Sequence, residues 1–275
     1  MENIPTYTLK SGIKIPKIGF GTWQLKGEEA IRAVTAALQV GYRHIDTADV
    51  YDNHSEVKQS IENSELQRED LFLTTKVWRD DLAKQDTIDA VNRFLEELDT
   101  DYIDLLLIHW PNKDIPISET LQTFNELKNE GKIKAIGVSN FTMHHLQDAL
   151  KSNVVIDINQ IEVHPLLNQS ELKKFCDDNN IITTAYSPLA QGEALIKPLI
   201  IELADKYNVS SAQVVLNWLL SRGMVVIPKS NNKEHIKDNL NAANWQMEEA
   251  DIEKINSMAN ESYRVVNPPF NEFDY

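Results

Sequence analysis

The chain has 275 residues, 42% of them hydrophobic, and its formal net charge is −15. This length suits one barrel domain with a sizeable core, so a single domain is expected over residues 1–275. The acidic balance argues against nucleic acid or an anionic membrane as a partner, because phosphate binding requires a basic surface.

The cysteine content and the N-terminal sequence predict the cellular compartment of the protein. Cys176 is the one cysteine, so no intramolecular disulfide can form, which is consistent with a reducing compartment. Its helix-like setting predicts a buried, unreactive thiol. The sequence starts without the basic and apolar regions of a signal peptide and has no apolar run of about 18 residues, so a cytoplasmic protein is expected.

Strand-like and helix-like segments alternate after a short N-terminal hairpin, whose turn is placed at Gly12. Strands are expected at residues 17–21, 43–46, 71–75, 103–108, 133–138, 156–160, 181–186 and 224–227. Helices are expected at residues 28–39, 55–62, 87–98, 121–130, 143–151, 170–179 (capped by Ser170), 197–207, 211–222, 233–241 and 248–259. This order predicts an α/β fold, a (β/α)8 TIM barrel with an N-terminal β-hairpin and two extra helices.

A functional side chain follows most of the predicted strands. These residues are Asp46, Lys76, His109, Ser139, Asn140, Gln160, Tyr186 and Lys229. Their mean spacing matches the roughly 30 residues that a strand and its crossover helix require. Because a (β/α)8 barrel forms its active site at the carboxyl ends of its strands, these side chains are expected to meet there.

Four residues on three consecutive βα units predict a proton-donating site. They are Asp46, Tyr51, Lys76 and His109. A phenol has a pKa of about 10, and a nearby ammonium is expected to lower it while a carboxylate keeps the ammonium charged. An imidazole can orient a carbonyl oxygen. Each residue alone is more commonly structural, but the four together favour catalysis.

Eight blocks of sequence have a distinctive order and spacing. They occupy residues 19–23, 41–48, 74–78, 107–111, 137–141, 159–162, 185–189 and 227–230. In these blocks the chain resembles the aldo-keto reductase family, and within it the small bacterial 2,5-diketo-D-gluconate reductases that also reduce methylglyoxal. The resemblance implies NADPH-dependent reduction of small aldehydes and ketones, including keto-sugar acids, to alcohols. In such a reaction Tyr51 would donate the proton and His109 would orient the carbonyl. Asp46 and Lys76 would adjust the pKa of Tyr51.

The resemblance also implies a set of cofactor contacts. The expected contacts are Gly21, Thr22, Trp23, Asp46, Ser139, Asn140, Gln160, Tyr186, Ser187, Pro188, Leu189, Gln191, Gly192, Ile227, Lys229, Ser230, Asn231, His235, Asp238 and Asn239. Ser139, Asn140 and Gln160 would hold the carboxamide, and Tyr186 would stack on the nicotinamide. Lys229 and Ser230 would bind the 2′-phosphate. His235 and Asp238 stand where the family usually has Arg and Glu, so weaker NADPH preference, with use of NADH, is expected.

The substrate site is expected to be shallow and open. Trp23, Tyr51, Trp78, His109 and Trp110 are the expected substrate contacts. The segments 112–117 and 264–275 are short, which favours small carbonyl substrates such as methylglyoxal. No metal is expected, because the His144–His145 pair lies at the start of a solvated helix without a third ligand.

Some alternatives stay open at this stage. His54 stands where the family usually has Glu, so either Glu56 takes over that role or the position is simply a helix start. The chain could also be a catalytically idle NADP(H)-binding barrel with a regulatory or redox-sensing role. A third interpretation is an aldolase or isomerase that forms a Schiff base on Lys76. A monomer is expected.

Overall fold

A computed structural model describes residues 5–259 and 263–275. The strands are β1 Thr6–Thr8, β2 Lys14–Pro16, β3 Phe20–Gly21, β4 His44–Asp46, β5 Phe72–Val77, β6 Ile103–Ile108, β7 Ile133–Ser139, β8 Ile158–Glu162, β9 Ile182–Tyr186 and β10 Val225–Val226. The helices are α1 Gly27–Val40, α2 His54–Glu62, α3 Lys84–Leu98, α4 Ile117–Asn129, α5 Met143–Leu150, α6 Ser170–Asp178, α7 Pro198–Tyr207, α8 Ser211–Ser221, α9 Lys233–Leu240 and α10 Glu249–Asn256. Strands β3 to β10 lie side by side in chain order as one parallel sheet.

This sheet closes on itself. Ile18, just before β3, forms a parallel bridge with Val226 of β10. The backbone N–H of Gly21 donates to the carbonyl oxygen of Pro228 at 3.1 Å. A Cβ on Gly21 would lie 2.8 Å from the carbonyl oxygen of Ile227, so only glycine allows this approach. The closed parallel sheet confirms the predicted (β/α)8 barrel.

The hairpin and the additional helices complete the barrel. Strands β1 and β2 are antiparallel, and Gly12 adopts a φ of 89° in their turn. Leu9 and Ile15 of this hairpin join an apolar cluster that includes Phe72 and Ile158, the first residues of β5 and β8. The hairpin therefore covers the amino-terminal end of the barrel. Within the described ranges, ten helices follow the eight barrel strands, which is two more than one per strand, as predicted.

Strand β6 contributes apolar side chains to both faces of the barrel wall. All six residues of β6 are buried, as its mostly apolar sequence predicts for a strand between core and helices. On the outer side, Leu106 and Ile108 share a cluster with Val91 and Phe94 of α3. No helix in the described part of the chain is both long and apolar enough to cross a membrane.

Several helix starts differ from prediction. Helices α3 and α4 begin at Lys84 and Ile117, three and four residues before the predicted starts at 87 and 121. The reason is that polar first turns carry too little apolar periodicity to be detected. The predicted N-cap role of Ser170 is wrong: Gln169 precedes the helix with a φ of 50°, and Ser170 is the first helical residue.

Candidate active site

A cavity of about 560 Å³ opens at the carboxyl ends of the strands. Of the predicted site residues, its walls contain Gly21, Thr22, Trp23, Asp46, Tyr51, Trp78, His109, Trp110, Ser139, Asn140, Gln160, Tyr186, Ser187, Pro188, Leu189, Gln191, Gly192, Ile227 and Lys229. Closure of the barrel brings these residues together although they are spread over most of the chain.

A buried ion pair lies beneath this cavity. Lys76 is fully buried, and its Nζ donates to Asp46 Oδ1 at 2.6 Å and to the carbonyl oxygen of Thr47 at 2.8 Å. The other oxygen of Asp46 accepts a hydrogen bond from Gln160 Nε2 at 2.7 Å. Burial acts to lower the pKa of Lys76, but Asp46 and Tyr51 outweigh it, so the pKa is raised. Lys76 is therefore an ammonium at neutral pH.

Tyr51 ends a short 3-10 turn, Asp49–Tyr51, that follows β4. This turn places the ring centroid 5.0 Å from Lys76 Nζ and 5.7 Å from the His109 ring centroid. Burial raises the pKa of Tyr51, and the charge of Lys76 opposes this rise without cancelling it. The expectation of a lowered pKa is thus wrong for the protein alone, because desolvation outweighs the ammonium. Tyr51 keeps its proton at neutral pH.

His109 follows β6 and is neutral. Burial and the charge of Lys76 lower its pKa well below 6.5. Its Nδ1 has no hydrogen-bond partner among the residues that the structure describes. The Trp78 ring lies edge-on to it at 5.3 Å between centroids. An uncharged imidazole at this position can bind a polar atom in the cavity.

Polar groups from β7, β8 and β9 form the adjoining wall. Ser139 Oγ donates to the carbonyl oxygen of Gln160 at 2.8 Å. Asn140 has a φ of 62°, and its Nδ2 donates to the carbonyl oxygen of His109 at 2.9 Å. Tyr186 donates its hydroxyl proton to Asn140 Oδ1 at 2.8 Å. These bonds fix the wall before any ligand is bound.

The distal cofactor residues do not line the cavity. Asn231 Nδ2 donates to Glu29 Oε1, and His235 is exposed in the first turn of α9. Asp238 lies between α9 and α8, where its carboxylate accepts hydrogen bonds from Ser210 Oγ and from Gln213 Nε2. Two further predicted contacts lie near them: Ser230, which accepts from the backbone N–H of Asn232, and the buried Asn239.

The C-terminal tail forms part of the cavity, which the sequence did not predict residue by residue. Val266, Pro268 and Phe270 line it. Phe270 packs edge-on against Trp78 and Trp110, with centroids 5.5 Å away in each case. The tail is short, as expected, but it forms one wall of the cavity beside Trp78 and Trp110, which we call the substrate end. Aromatic residues beside Pro268-Pro269 were the available signal, but an irregular segment has no periodicity from which to place them.

Glu162, at the end of β8, holds the tail in place. Its buried carboxylate accepts the backbone N–H groups of Val265 and Val266 at 2.7 and 2.9 Å. Further along the tail, Glu272 accepts a hydrogen bond from buried His145. The prediction that His144 and His145 occupy a solvated position is therefore wrong for His145, which packs beneath the tail.

Three other expectations can be compared with the structure. His54 is not simply a helix start, because its buried ring bonds to Thr75 and Glu97. Glu56 accepts instead from the backbone N–H of Gly27. Cys176 is buried, as predicted, and burial raises its pKa to about 11. In the described ranges, no group of three or more His, Cys, Asp or Glu residues could hold a metal ion.

Comparison with known proteins places this barrel in one family. The model of the aldo/keto reductase family matches residues 17–260. The chain therefore belongs to the aldo/keto reductase family and is an NAD(P)H-dependent oxidoreductase.

Named relatives and solved structures are similar over nearly the full chain. It is 41% identical to the 9,11-endoperoxide prostaglandin H2 reductase of Trypanosoma cruzi, covering 98% of this chain and 97% of that protein. It is 40% identical to the glyoxal reductase of Bacillus subtilis, covering 96% of both. It is 41% identical to the methylglyoxal reductase DkgA of Escherichia coli, covering 93% of this chain and 94% of that protein. A Bombyx mori aldo-keto reductase in complex with NADP superposes with a TM-score of 0.91 at 33% identity, covering 99% of both chains.

Proposed function

We propose that this protein reduces small aldehydes and ketones with NADPH, and that Tyr51 donates the proton to the carbonyl oxygen. The observation that carries the proposal is the meeting of the Tyr51 phenol, the buried Lys76–Asp46 pair and neutral His109 at one end of the cavity. A phenol, a fixed ammonium and an uncharged imidazole are the groups that protonation of a polarised carbonyl requires.

The remaining part of the cavity fits a nicotinamide dinucleotide. Ser139 and Gln160 would hold the carboxamide, Tyr186 would flank the ring, and the loop from Ser187 to Gly192 would lie along the pyrophosphate. That loop has left-handed residues, including Gln191 with φ 54° and Gly192 with φ 100°, which bring its backbone close to the cavity. Bound there, the reduced nicotinamide would supply a hydride to the carbonyl carbon.

Each catalytic residue has a separate task in this proposal. Tyr51 gives its phenolic proton to the oxygen, and the ammonium of Lys76 stabilises the phenolate that remains. Asp46 holds that ammonium and keeps it charged. His109 donates one ring N–H to the carbonyl oxygen and so orients it. Positioned proton transfer of this kind typically contributes about 10² to 10⁴-fold to the rate.

The walls of the substrate end favour small, neutral carbonyls. Trp23, Val50, Trp78, Trp110 and Phe270 line it, and none of them carries a charge. A keto-sugar acid would bring a carboxylate against apolar walls in a chain of net charge −15. Methylglyoxal and short aldehydes are therefore the preferred substrates in this proposal, ahead of keto-sugar acids. The similarity to a glyoxal reductase and a methylglyoxal reductase supports the same class.

The test is a comparison of kcat/KM for methylglyoxal, a short aldehyde, a keto-sugar acid and a bulky steroid ketone, each with NADPH. The first two are expected to be the best substrates. Better turnover of the steroid ketone would contradict the proposed pocket. Tight NADPH binding without any turnover would instead favour a regulatory, catalytically idle barrel.

We propose that NADPH is used with a weaker preference over NADH than is usual in the family. His235 is exposed in the first turn of α9, and an imidazole lacks the bidentate reach of a guanidinium for a 2′-phosphate. His235→Arg should increase the kcat/KM ratio of NADPH over NADH about tenfold, mainly through KM for NADPH, since one charge-assisted hydrogen bond contributes roughly 1.5–3 kcal/mol. A strong NADPH preference in the wild type, equal to that of His235→Arg, would contradict this proposal.

We also propose a cytoplasmic monomer. Asp46, Tyr51, Lys76 and His109 meet within one chain, as a monomeric enzyme requires. The single cysteine suits a reducing compartment.

A further inference from the structure

A row of four hydrogen-bonded side chains lies behind the candidate active site. We name it the outer row, and it consists of Asp49, Arg93, Glu97 and His54. None of these residues lines the cavity. His54 is one of the positions at which this chain differs from the residue usual in the family, so the row includes a feature particular to this chain.

The bonds of the outer row are continuous. Arg93 donates to both oxygens of Asp49, at 2.7 and 3.0 Å, and to Glu97 Oε1 at 3.3 Å. Glu97 Oε2 lies 2.7 Å from His54 Nδ1. His54 Nε2 lies 2.8 Å from the hydroxyl of Thr75 on β5. The row therefore joins the loop after β4 to the middle of β5.

Both ends of the row are next to residues of the proton-donating site. Asp49 belongs to the 3-10 turn that ends at Tyr51. Thr75 immediately precedes Lys76 on β5. Because side chains alternate along a strand, Thr75 faces the helix layer while Lys76 faces the barrel interior. The row is thus a second connection between the segments that carry the phenol and the ammonium.

The outer row differs from an ordinary surface ion pair because its inner end, His54, is buried. His54 is 4% exposed, and its ring packs edge-on against Phe94 at 5.1 Å between centroids. The hydrogen bond from His54 is the main cause of the lowered pKa of Glu97, so that carboxylate stays charged. The bidentate contact of Arg93 with Asp49 adds a fixed geometry. Exposed pairs contribute little when both partners move freely, but here the buried ring removes that freedom.

We propose that the outer row is a positioning device that sets the separation of the Tyr51 phenol and the Lys76 ammonium. Its members touch neither substrate nor cofactor, so they act through Tyr51 and Lys76. This inference rests on the proposed function, in which Tyr51 is the proton donor. A small displacement of a catalytic group can lower a rate by about 10²-fold. Loss of the row should therefore lower kcat and leave cofactor binding unchanged.

The first variant is Arg93→Gln, with Lys84→Gln as its matched control. Both are exposed cations on α3 that bind a carboxylate of another element, and Lys84 contacts Glu126 of α4 at 2.7 Å. Arg93→Gln should lower kcat by about 10- to 100-fold with KM for NADPH unchanged, and Lys84→Gln should change neither. Equal kcat in the two variants, at equal thermal stability, would overturn the proposal.

The second variant is His54→Gln, whose amide can reach Thr75 in the place of Nε2 but loses the bond of Nδ1 to Glu97. If the row acts as a unit, this variant and Arg93→Gln interrupt the same connection. The double variant should then lose no more kcat than the more affected single variant. Losses that multiply in the double variant would show two independent effects and would contradict a continuous row.

A measurement without turnover separates this inference from the proposed function. The phenol signal of Tyr51 can be followed by NMR in protein with ¹³C-labelled tyrosine and assigned by its absence in Tyr51→Phe. Lys76 acts to lower the pKa of Tyr51. If Arg93→Gln moves the phenol and the ammonium apart, the pKa of Tyr51 should therefore rise. Lys84→Gln should leave that pKa unchanged. A Tyr51 pKa in Arg93→Gln equal to that of the wild type would overturn the positioning role, even if kcat were reduced. A wild type without activity would instead contradict the proposed function and leave the NMR result to decide on the row.

Discussion

The ammonium of Lys76 acts on several neighbours in different directions. It opposes the burial-driven rise in the pKa of Tyr51. After burial, it is also the main cause of the lowered pKa values of His109 and of His44, whose pKa falls to about 3. One charge, held by Asp46, therefore adds to the effect of burial in keeping two imidazoles neutral, while it acts against burial at the Tyr51 phenol.

The rate of carbonyl reduction should not depend on pH near neutrality. In the proposed mechanism, reduction requires Tyr51 with its proton and His109 without a charge. The pKa of Tyr51 is raised from 10.0 and that of His109 is lowered well below 6.5, so both forms persist across neutral pH. We expect kcat at saturating NADPH and carbonyl to be constant between about pH 6 and about pH 8, and to fall only where phenols ionise, above about pH 10. A change in kcat with its midpoint near pH 7 would contradict this, because it would mean that His109 or Tyr51 changes its protonation state near neutral pH.

The positions of the site residues were easier to predict than their protonation. Asp46, Lys76 and His109 each end an apolar run, and a barrel brings strand ends together whatever the helices do. The raised pKa of Tyr51 was missed, because its direction depends on how much water the folded cavity excludes. The contact of His54 with Glu97 was also missed, since it requires knowledge of how α2 packs on α3.

At the scale of the elements, the C-terminal tail forms one wall of the substrate end. Arg79 donates to the carbonyl oxygen of Phe270 at 3.3 Å, and Glu162 holds the backbone of Val265 and Val266. Strands were well predicted from sequence because buried strands have continuous apolar runs. The tail could not be placed because Phe270, Val265 and Val266 contact residues that are distant in the sequence.

Phe270→Ala should change the preference of the enzyme for substrate size. The Phe270 ring contacts both Trp78 and Trp110, so its removal opens the apolar wall. We expect kcat/KM for a bulky aromatic aldehyde, relative to methylglyoxal, to rise about tenfold, since apolar pocket contacts of this size are worth roughly 1–3 kcal/mol. Phe273→Ala is the control, because Phe273 contacts Trp110 without lining the cavity. An equal size preference in the two variants would mean that the tail does not limit the pocket.

At the scale of the whole molecule, the barrel separates stability from chemistry. The hairpin and the apolar cluster with Leu9 and Ile15 cover the amino-terminal end. Polar and ionisable groups gather at the carboxyl end, where closure between Ile18 and Val226 brings the first and last strands together. This distribution is the usual one for barrel enzymes. It explains why strand order alone could predict where the site lies, although not how its walls are built.

Replacement of Tyr51 by Phe tests the proposed proton donor most directly. The variant lacks only the hydroxyl, so the barrel and the Lys76–Asp46 pair should remain. With saturating NADPH and methylglyoxal, followed by nicotinamide absorbance, we expect kcat to fall by about 10²- to 10⁴-fold, the usual contribution of positioned proton transfer. NADPH should bind as it does to the wild type. Turnover of Tyr51→Phe at the wild-type rate would contradict the assignment of Tyr51 as the proton donor and the mechanism built on it.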